Sequence, residues 1–247
     1  MSATEIGKYR IADIDGRTVL RYTDDEVCDL STMDPTNPAA LDDDYTRVML
    51  HPLVFLPTPK DLLLIGLGGG QQAKFLHRYF PALNLTAVEI DPTVVELART
   101  HFRLPEDDER MQVVVRDAVD YVHDDNKHYD LIVSDAYGDG NLMVDALHTA
   151  SFYQACRRKL RAGGVMTVNI LRPRTDWVGD FVATLSGIFA YWQFHVVSAE
   201  QGVIVLWKDV PAFALDSAYE RAADLDAIAN LNFTGFVDAF RRKRDGL

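Results

Sequence analysis

Residues 61–72 read Asp61-Leu62-Leu63-Leu64-Ile65-Gly66-Leu67-Gly68-Gly69-Gly70-Gln71-Gln72, and the fold turns on this stretch. Leu62 to Ile65 is a compact apolar run of buried-strand length that stops at Gly66. Glycines in the following loop let the backbone turn tightly and let a ligand approach it closely. The pattern from Gln71 to Tyr79 then predicts a helix, so the loop joins a strand to a helix N-terminus.

Four more apolar runs follow at regular spacing: Leu85 to Ile90, Gln112 to Val115, Leu131 to Ser134 and Gly164 to Ile170. Helical patterns lie between them at Pro92 to His101 and Ser151 to Leu160. Alternation of this kind predicts a parallel sheet covered on both faces. The runs Phe194 to Ser198 and Val203 to Trp207 are separated only by Ala199-Glu200-Gln201-Gly202, too short for a crossover, so they should pair antiparallel. The expected fold is α/β, a mostly parallel seven-stranded sheet with an antiparallel last hairpin. That is the layout of the Rossmann-like methyltransferase folds.

Upstream, Tyr9 to Asp13 and Thr18 to Tyr22 flank Asp15-Gly16 and predict a β-hairpin. A helix is expected from Tyr45 to Phe55, ending before Pro57 and Pro59. The organisation expected is a small N-terminal hairpin region over 1–58 and a Rossmann-like domain over 59–247. The stripe Phe181, Leu185, Ile188, Phe189, Trp192 has helical spacing and reads as core, and 211–247 as C-terminal helix.

The chain has 247 residues, 48% of them hydrophobic, and 25 basic against 37 acidic residues for a net charge of −12. Such a balance repels phosphate backbones and anionic membranes, so neither nucleic acid nor membrane is an expected partner. The run Arg241-Arg242-Lys243-Arg244 reads as the solvated end of a helix. Cys28 and Cys156 have no metal or disulfide spacing, and no metal is expected. With no signal peptide and no long apolar run, a cytoplasmic location is the expectation. No Gly-x-Ser-x-Gly elbow points to a serine hydrolase.

Acids stand at the ends of consecutive strands. Glu89 closes the second, where a carboxylate can accept both ribose hydroxyls. Asp117 follows the third and Asp135 the fourth. For each acid singly, a helix N-cap is the plain alternative, as it is for Asp91 before Pro92. Together with the glycines they meet at the carboxyl edge of the sheet, where ligands of open α/β folds sit. The loop departs from a dinucleotide fingerprint, with Ala73 at the third position and no basic residue. An adenosyl sulfonium, lacking phosphates, suits the acids better. The candidate cofactor contacts are Gly66, Gly68, Gly70, Gln71, Glu89, Ile90, Asp117, Ala118 and Asp135.

From about Asp43 to Lys208 the chain resembles the polyamine aminopropyltransferases, or spermidine synthases. The carriers are Tyr45 and His51, the glycine loop, Val88-Glu89-Ile90-Asp91, Arg116-Asp117-Ala118, Tyr129 to Asp135 and Leu147 to Tyr153. The resemblance implies that Glu89 holds ribose and Asp117 the adenine amino group. It implies that Asp135 and Tyr45 help deprotonate and orient an attacking amine; from the residues themselves, Tyr45 or Tyr137 is the expected hydrogen-bond partner of Asp135. It also implies S-adenosylmethionine or its decarboxylated form as co-substrate, a small amine acceptor, a role in polyamine biosynthesis and a homodimer.

The chain departs from that family at Gly69 and Gly138, where the family carries acids that read cations, and at Arg47, where it has a glutamate. Asp139 is displaced by one position. Arg47, His51 and Asp139 are the candidate substrate contacts, with Arg47 either a carboxylate reader or a solvated helix residue, and His51 lining the cofactor, capping a helix or, the favoured reading, packing. Three readings stand: an aminopropyl transferase, a methyltransferase using intact S-adenosylmethionine, and a non-catalytic homologue that binds an adenosyl ligand.

Overall fold

The structure is a computed structural model that describes residues 4–24, 29–138, 142–171, 175–211, 214–229 and 231–245. Its N-terminal part is an antiparallel four-stranded sheet: β1 (Thr4–Ile6), β2 (Tyr9–Ile14), β3 (Arg17–Tyr22) and β4 (Ser31–Met33), in that order. The expected hairpin is β2–β3. Asp15 and Gly16 both take positive φ at its tip, 52° and 78°, as the tight right-twisted two-residue turn requires.

Helix α1 (Asp44–Leu50) and a 3₁₀ turn (His51–Phe55) lead into the main sheet. A single helix was expected over this span. Pro52, at the start of the turn, lacks the N–H a continued α-helix needs. Met49, Leu50, Leu53 and Val54 belong to the same apolar cluster as the main sheet, although these residues were expected to group with the N-terminal region.

The strands β5 (Asp61–Ile65), β6 (Asn84–Glu89), β7 (Met111–Val115) and β8 (Tyr129–Ser134) come next, with helices α2 (Gln71–Tyr79), α3 (Pro92–Phe102) and α4 (Ala118–Asp124) between them. A short pair, β9 (Tyr137–Gly138) and β10 (Leu142–Met143), precedes a second 3₁₀ turn (Asp145–His148) and α5 (Ala150–Lys159). Strand β11 (Leu160–Leu171), helix α6 (Thr175–Ser186), strands β12 (Tyr191–Val196) and β13 (Gln201–Trp207), and helices α7 (Leu215–Ala229) and α8 (Phe233–Asp245) complete the chain.

The main sheet has the order β12-β13-β11-β8-β5-β6-β7, parallel except that β13 runs antiparallel to both β11 and β12. Alternation along the strands feeds two cores. On β5, Leu62 and Leu64 face the layer of α1, α2, α7 and α8, while Leu63 and Ile65 face that of α4, α5 and α6. The N-terminal sheet packs Tyr9, Ile11, Leu20 and Tyr22 on Val94, Leu97 and Phe102 of α3.

Three expectations are corrected. Helix α4 was not foreseen, being only seven residues long. Trp192 does not extend the stripe of α6: it sits on β12, 36% exposed, while Phe181, Leu185 and Phe189 are buried. The C-terminal helix is two helices, broken where Asn232 takes φ 61° and Asp226 accepts the N–H groups of Phe233 and Thr234.

Candidate active site

Strand order reverses between β5 and β8: from β5 the sheet grows through β6 and β7 to one side, and from β8 through β11 to the other. At this switch point the chains diverge beyond their carboxyl ends and leave a crevice. Gly66 and Asp135 are the first residues past the two strands. The Asp135 N–H donates to the Ile65 carbonyl at 2.8 Å, and a Cβ at Gly66 would stand 2.3 Å from the Asp135 carbonyl oxygen. With φ +88° as well, Gly66 is required by both conformation and contact.

The crevice opens into a cleft of about 690 Å³ whose walls come from the glycine loop, the strand ends, α1 and the N-terminal sheet. Glu89 lies in one wall, buried, each carboxylate oxygen accepting a backbone N–H at 3.0 Å, from Leu67 and Asp91. Burial raises its pKa against these hydrogen bonds. Ile90 beside it is a 65% exposed apolar side chain on the rim. Asp91 caps α3 through Thr93 N–H and accepts the Tyr9 hydroxyl at 2.8 Å, tying the N-terminal sheet to the cleft edge. Asp117 caps α4 with one oxygen, Oδ1, which accepts from Val119 and Asp120. The capping role and a place in the cleft wall are therefore compatible.

Asp135 forms the floor. Burial pushes its pKa up to about 6, with the Asp43 charge adding to the rise; a hydrogen bond from Asn169 Nδ2 at 2.8 Å and the facing Tyr45 hydroxyl oppose it. Tyr45, on α1, is in turn held well above its ordinary value by burial and by the Asp135 charge. The cleft thus holds a carboxylate whose proton affinity is raised toward neutral pH.

The candidate residues separate into groups. Gly66, Gly68, Gln71, Glu89, Ile90, Asp117, Ala118, Asp135, Tyr45 and Tyr137 all line the cleft. Tyr137 has its hydroxyl engaged elsewhere, donating to the Asn169 carbonyl and accepting from Leu171 N–H, both at 2.8 Å. Gly70 does not line the cleft; at φ 71° it precedes α2 as its N-cap. Arg47 is also turned away, bonded to the Leu41 carbonyl at 2.8 Å and Asp44 at 2.9 Å. His51 is buried in the core against the rings of Phe233 and Phe236. Neither Arg47 nor His51 lines the cleft. Asp139 lies outside the described residues.

Asp43, Asn169 and Gln201 line the cleft without having been expected there. Asp43 sat in the acidic run Asp42-Asp43-Asp44, its one sequence signal. Among the described residues the cleft has two cationic side chains, Lys8 and Arg116, paired with Asp91 and Asp124. No group of three or more metal-ligating side chains occurs among the described residues, and no helix there is long and apolar enough to cross a membrane.

Comparison with known proteins places this geometry. Residues 42–175 match the family model described as the spermine/spermidine synthase domain. A polyamine aminopropyltransferase of Chromobacterium violaceum is 33% identical over 220 residues, 86% of this chain and 82% of the relative. A probable spermidine synthase from Corynebacterium glutamicum superposes with a TM-score of 0.73 at 17% identity, covering 90% of this chain and 86% of the other. Human methyltransferase-like protein 13 in complex with SAH superposes at 0.66 with 24% identity, covering 78% and 91%. The two structures share the Rossmann-like fold. The family model and the bacterial relative go further, and the chain belongs to the spermine/spermidine synthase family of transferases.

Proposed function

We propose that the protein transfers an aminopropyl group from decarboxylated S-adenosylmethionine to a small amine. The observation that carries this reading is the buried Asp135 carboxylate, poised at about 6 at the floor of an acid-lined cleft. A cleft of about 690 Å³ has room for an adenosyl donor with an amine beside it. Glu89 faces the ribose hydroxyls with its unused lone pairs, Asp117 presents Oδ2 to the adenine amino group, and Ile90 offers an apolar shelf to the base.

An alkylammonium has an ordinary pKa near about 10.4 and must lose a proton before it attacks. Asp135 accepts that proton. The amine lone pair then forms the new N–C bond as the C–S bond breaks, its electron pair passing to sulfur. A neutral thioether, 5′-methylthioadenosine, leaves. The residues orient the partners in line and hold the proton, which is most of what such a displacement needs.

The decarboxylated donor is preferred because a carboxylate would find only Lys8 and Arg116 among the described lining residues, each already paired with an acid. Arg47, the other candidate reader of a carboxylate, is turned away. One observation favours the second reading, methyl transfer from intact S-adenosylmethionine: the glycine loop has no acid at Gly69 for the donor ammonium. Calorimetry with the two donors, followed by mass analysis of the amine product, separates the readings. A gain of one aminopropyl unit supports the proposal; a methyl gain, or failure to bind either donor, overturns it.

A further inference from the structure

Gly69 has no room for a side chain. A Cβ there would stand 2.6 Å from Phe102 Cδ1 and 2.7 Å from Ser31 Oγ. The N-terminal sheet and α3 thus close off the loop as a source of a cation-reading acid. Across the start of α2, however, a different acid faces the cleft. Asp43 Oδ2 accepts from Gln71 Nε2 at 2.6 Å and from Thr32 Oγ1 at 3.5 Å, and among the described residues Oδ1 has no hydrogen-bond partner.

Its neighbours in sequence are neutralised. Asp42 pairs with Arg17 at 2.8 Å and Asp44 with Arg47 at 2.9 Å. Asp29, also in the cleft wall, pairs with Arg21. Asp43 has no basic partner among the described residues. Burial raises its pKa, with the Asp42 and Asp29 charges adding to the rise and the hydrogen bonds from Gln71 and Thr32 opposing it. A largely desolvated carboxylate without a counter-ion is costly, and a bound cation removes that cost.

The carboxylate is also fixed in place. The Gln71 amide that holds it accepts from Asp42 N–H at 3.0 Å and donates to the Thr32 carbonyl at 2.9 Å, so its orientation is set on both sides. Gln71 opens the helix after the glycine loop, and Asp43 acts electrostatically on Asp135. Asp43 and Asp135 therefore line the same cleft and sense each other's charge, which puts a second acid within reach of a ligand seated at Asp135.

We infer that Asp43, held by Gln71, is the residue that binds the primary ammonium of the donor's aminopropyl tail. This rests on the adenosyl-sulfonium reading of the cleft and names the group that discriminates within it. The loop position is vacated and the acid is supplied from the segment before α1.

Calorimetry on the full chain tests this with two ligands that differ by the tail. Decarboxylated S-adenosylmethionine carries the ammonium; 5′-methylthioadenosine does not. Asp43→Asn keeps an oxygen for Gln71 and removes no helix cap, since Asp43 makes no side-chain capping bond. The variant is expected to bind decarboxylated S-adenosylmethionine about 10- to 100-fold more weakly and 5′-methylthioadenosine as the parent does. Equal loss for both ligands would reveal a structural role and overturn the inference. So would unchanged donor affinity with a raised KM for the amine, which would assign Asp43 to the acceptor. If the parent protein bound neither ligand, the adenosyl reading itself would fall and this inference with it.

Discussion

Asn169 on β11 faces Asp135, the first residue beyond the neighbouring parallel strand β8, and Asn169 Nδ2 donates to Asp135 Oδ1 at 2.8 Å. The Asn169 amide is itself oriented: its Oδ1 accepts from Gln201 Nε2 at 3.1 Å. A chain of hydrogen bonds thus crosses β13, β11 and the end of β8, and its last link presents N–H groups, never a lone pair, to the carboxylate. That bond favours the ionised form of Asp135 against the burial that opposes it.

The acidic limb of kcat/KM should therefore fall near pH 6 in the parent protein, because Asp135 must be ionised to take the proton. Asn169→Ala removes a hydrogen bond that lowers the pKa, and its limb should move to higher pH. Tyr45→Phe should shift it in the same direction. A limb that stays in place in both variants would separate Asp135 from the proton transfer.

Asp135 also carries a cost in stability. Its folded-state pKa is raised from 3.8 to about 6. Between those values the native protein holds a proton that the unfolded chain has released, so stability falls as pH rises through that window. Asp135→Asn should stabilise the fold at pH 7 by on the order of 3 kcal/mol, read as a higher melting temperature, while abolishing most turnover. The difference should close below about pH 4. Thermal unfolding at pH 4 and pH 7 checks both halves.

Asp117 joins a helix cap and a cleft position in one side chain, and two substitutions separate them. Asp117→Ala should cost about 1 kcal/mol of stability and weaken 5′-methylthioadenosine. Asp117→Ser keeps a capping oxygen, so it should restore stability without restoring affinity. Denaturant unfolding and calorimetry on the two variants read the two roles independently.

His51 should prove dispensable to turnover. Both its ring nitrogens lack hydrogen-bond partners among the described residues, and burial with the nearby His195 pushes its pKa down to about 3. From pH 6.5 down to about 3 the unfolded chain takes up a proton that the fold refuses, so this residue makes stability fall as pH falls. His51→Leu should keep activity and flatten the acid side of the stability profile. A large rise in KM in that variant would contradict its place in the core.

The glycine loop and the acids at strand ends were legible because both follow from local rules: apolar runs of strand length, glycine punctuation, and a carboxylate where each strand stops. Asp43, Asn169 and Gln201 obey no such rule. They reach the cleft only because α1 docks on the sheet and β13 pairs beside β11. Arg47 misled for the complementary reason. Its place in the helix was readable, but the fold directs its guanidinium to the Leu41 carbonyl and Asp44. Tyr45 on α1 lines the cleft while His51 on the following turn packs in the core, because the two positions present different faces.

The Tyr9–Asp91 hydrogen bond makes the N-terminal sheet an informant on the cleft. Any ligand engaging Glu89 or Asp91 acts on the cap of α3 and on the strand docked against it, so occupancy is thermodynamically linked to the opening of β2 and β3. Backbone amides such as Ile11 and Leu20, paired across that hairpin, should exchange with deuterium more slowly when the adenosyl site is filled. The antiparallel sheet thereby records, on a timescale of minutes to hours, what is bound at the switch point.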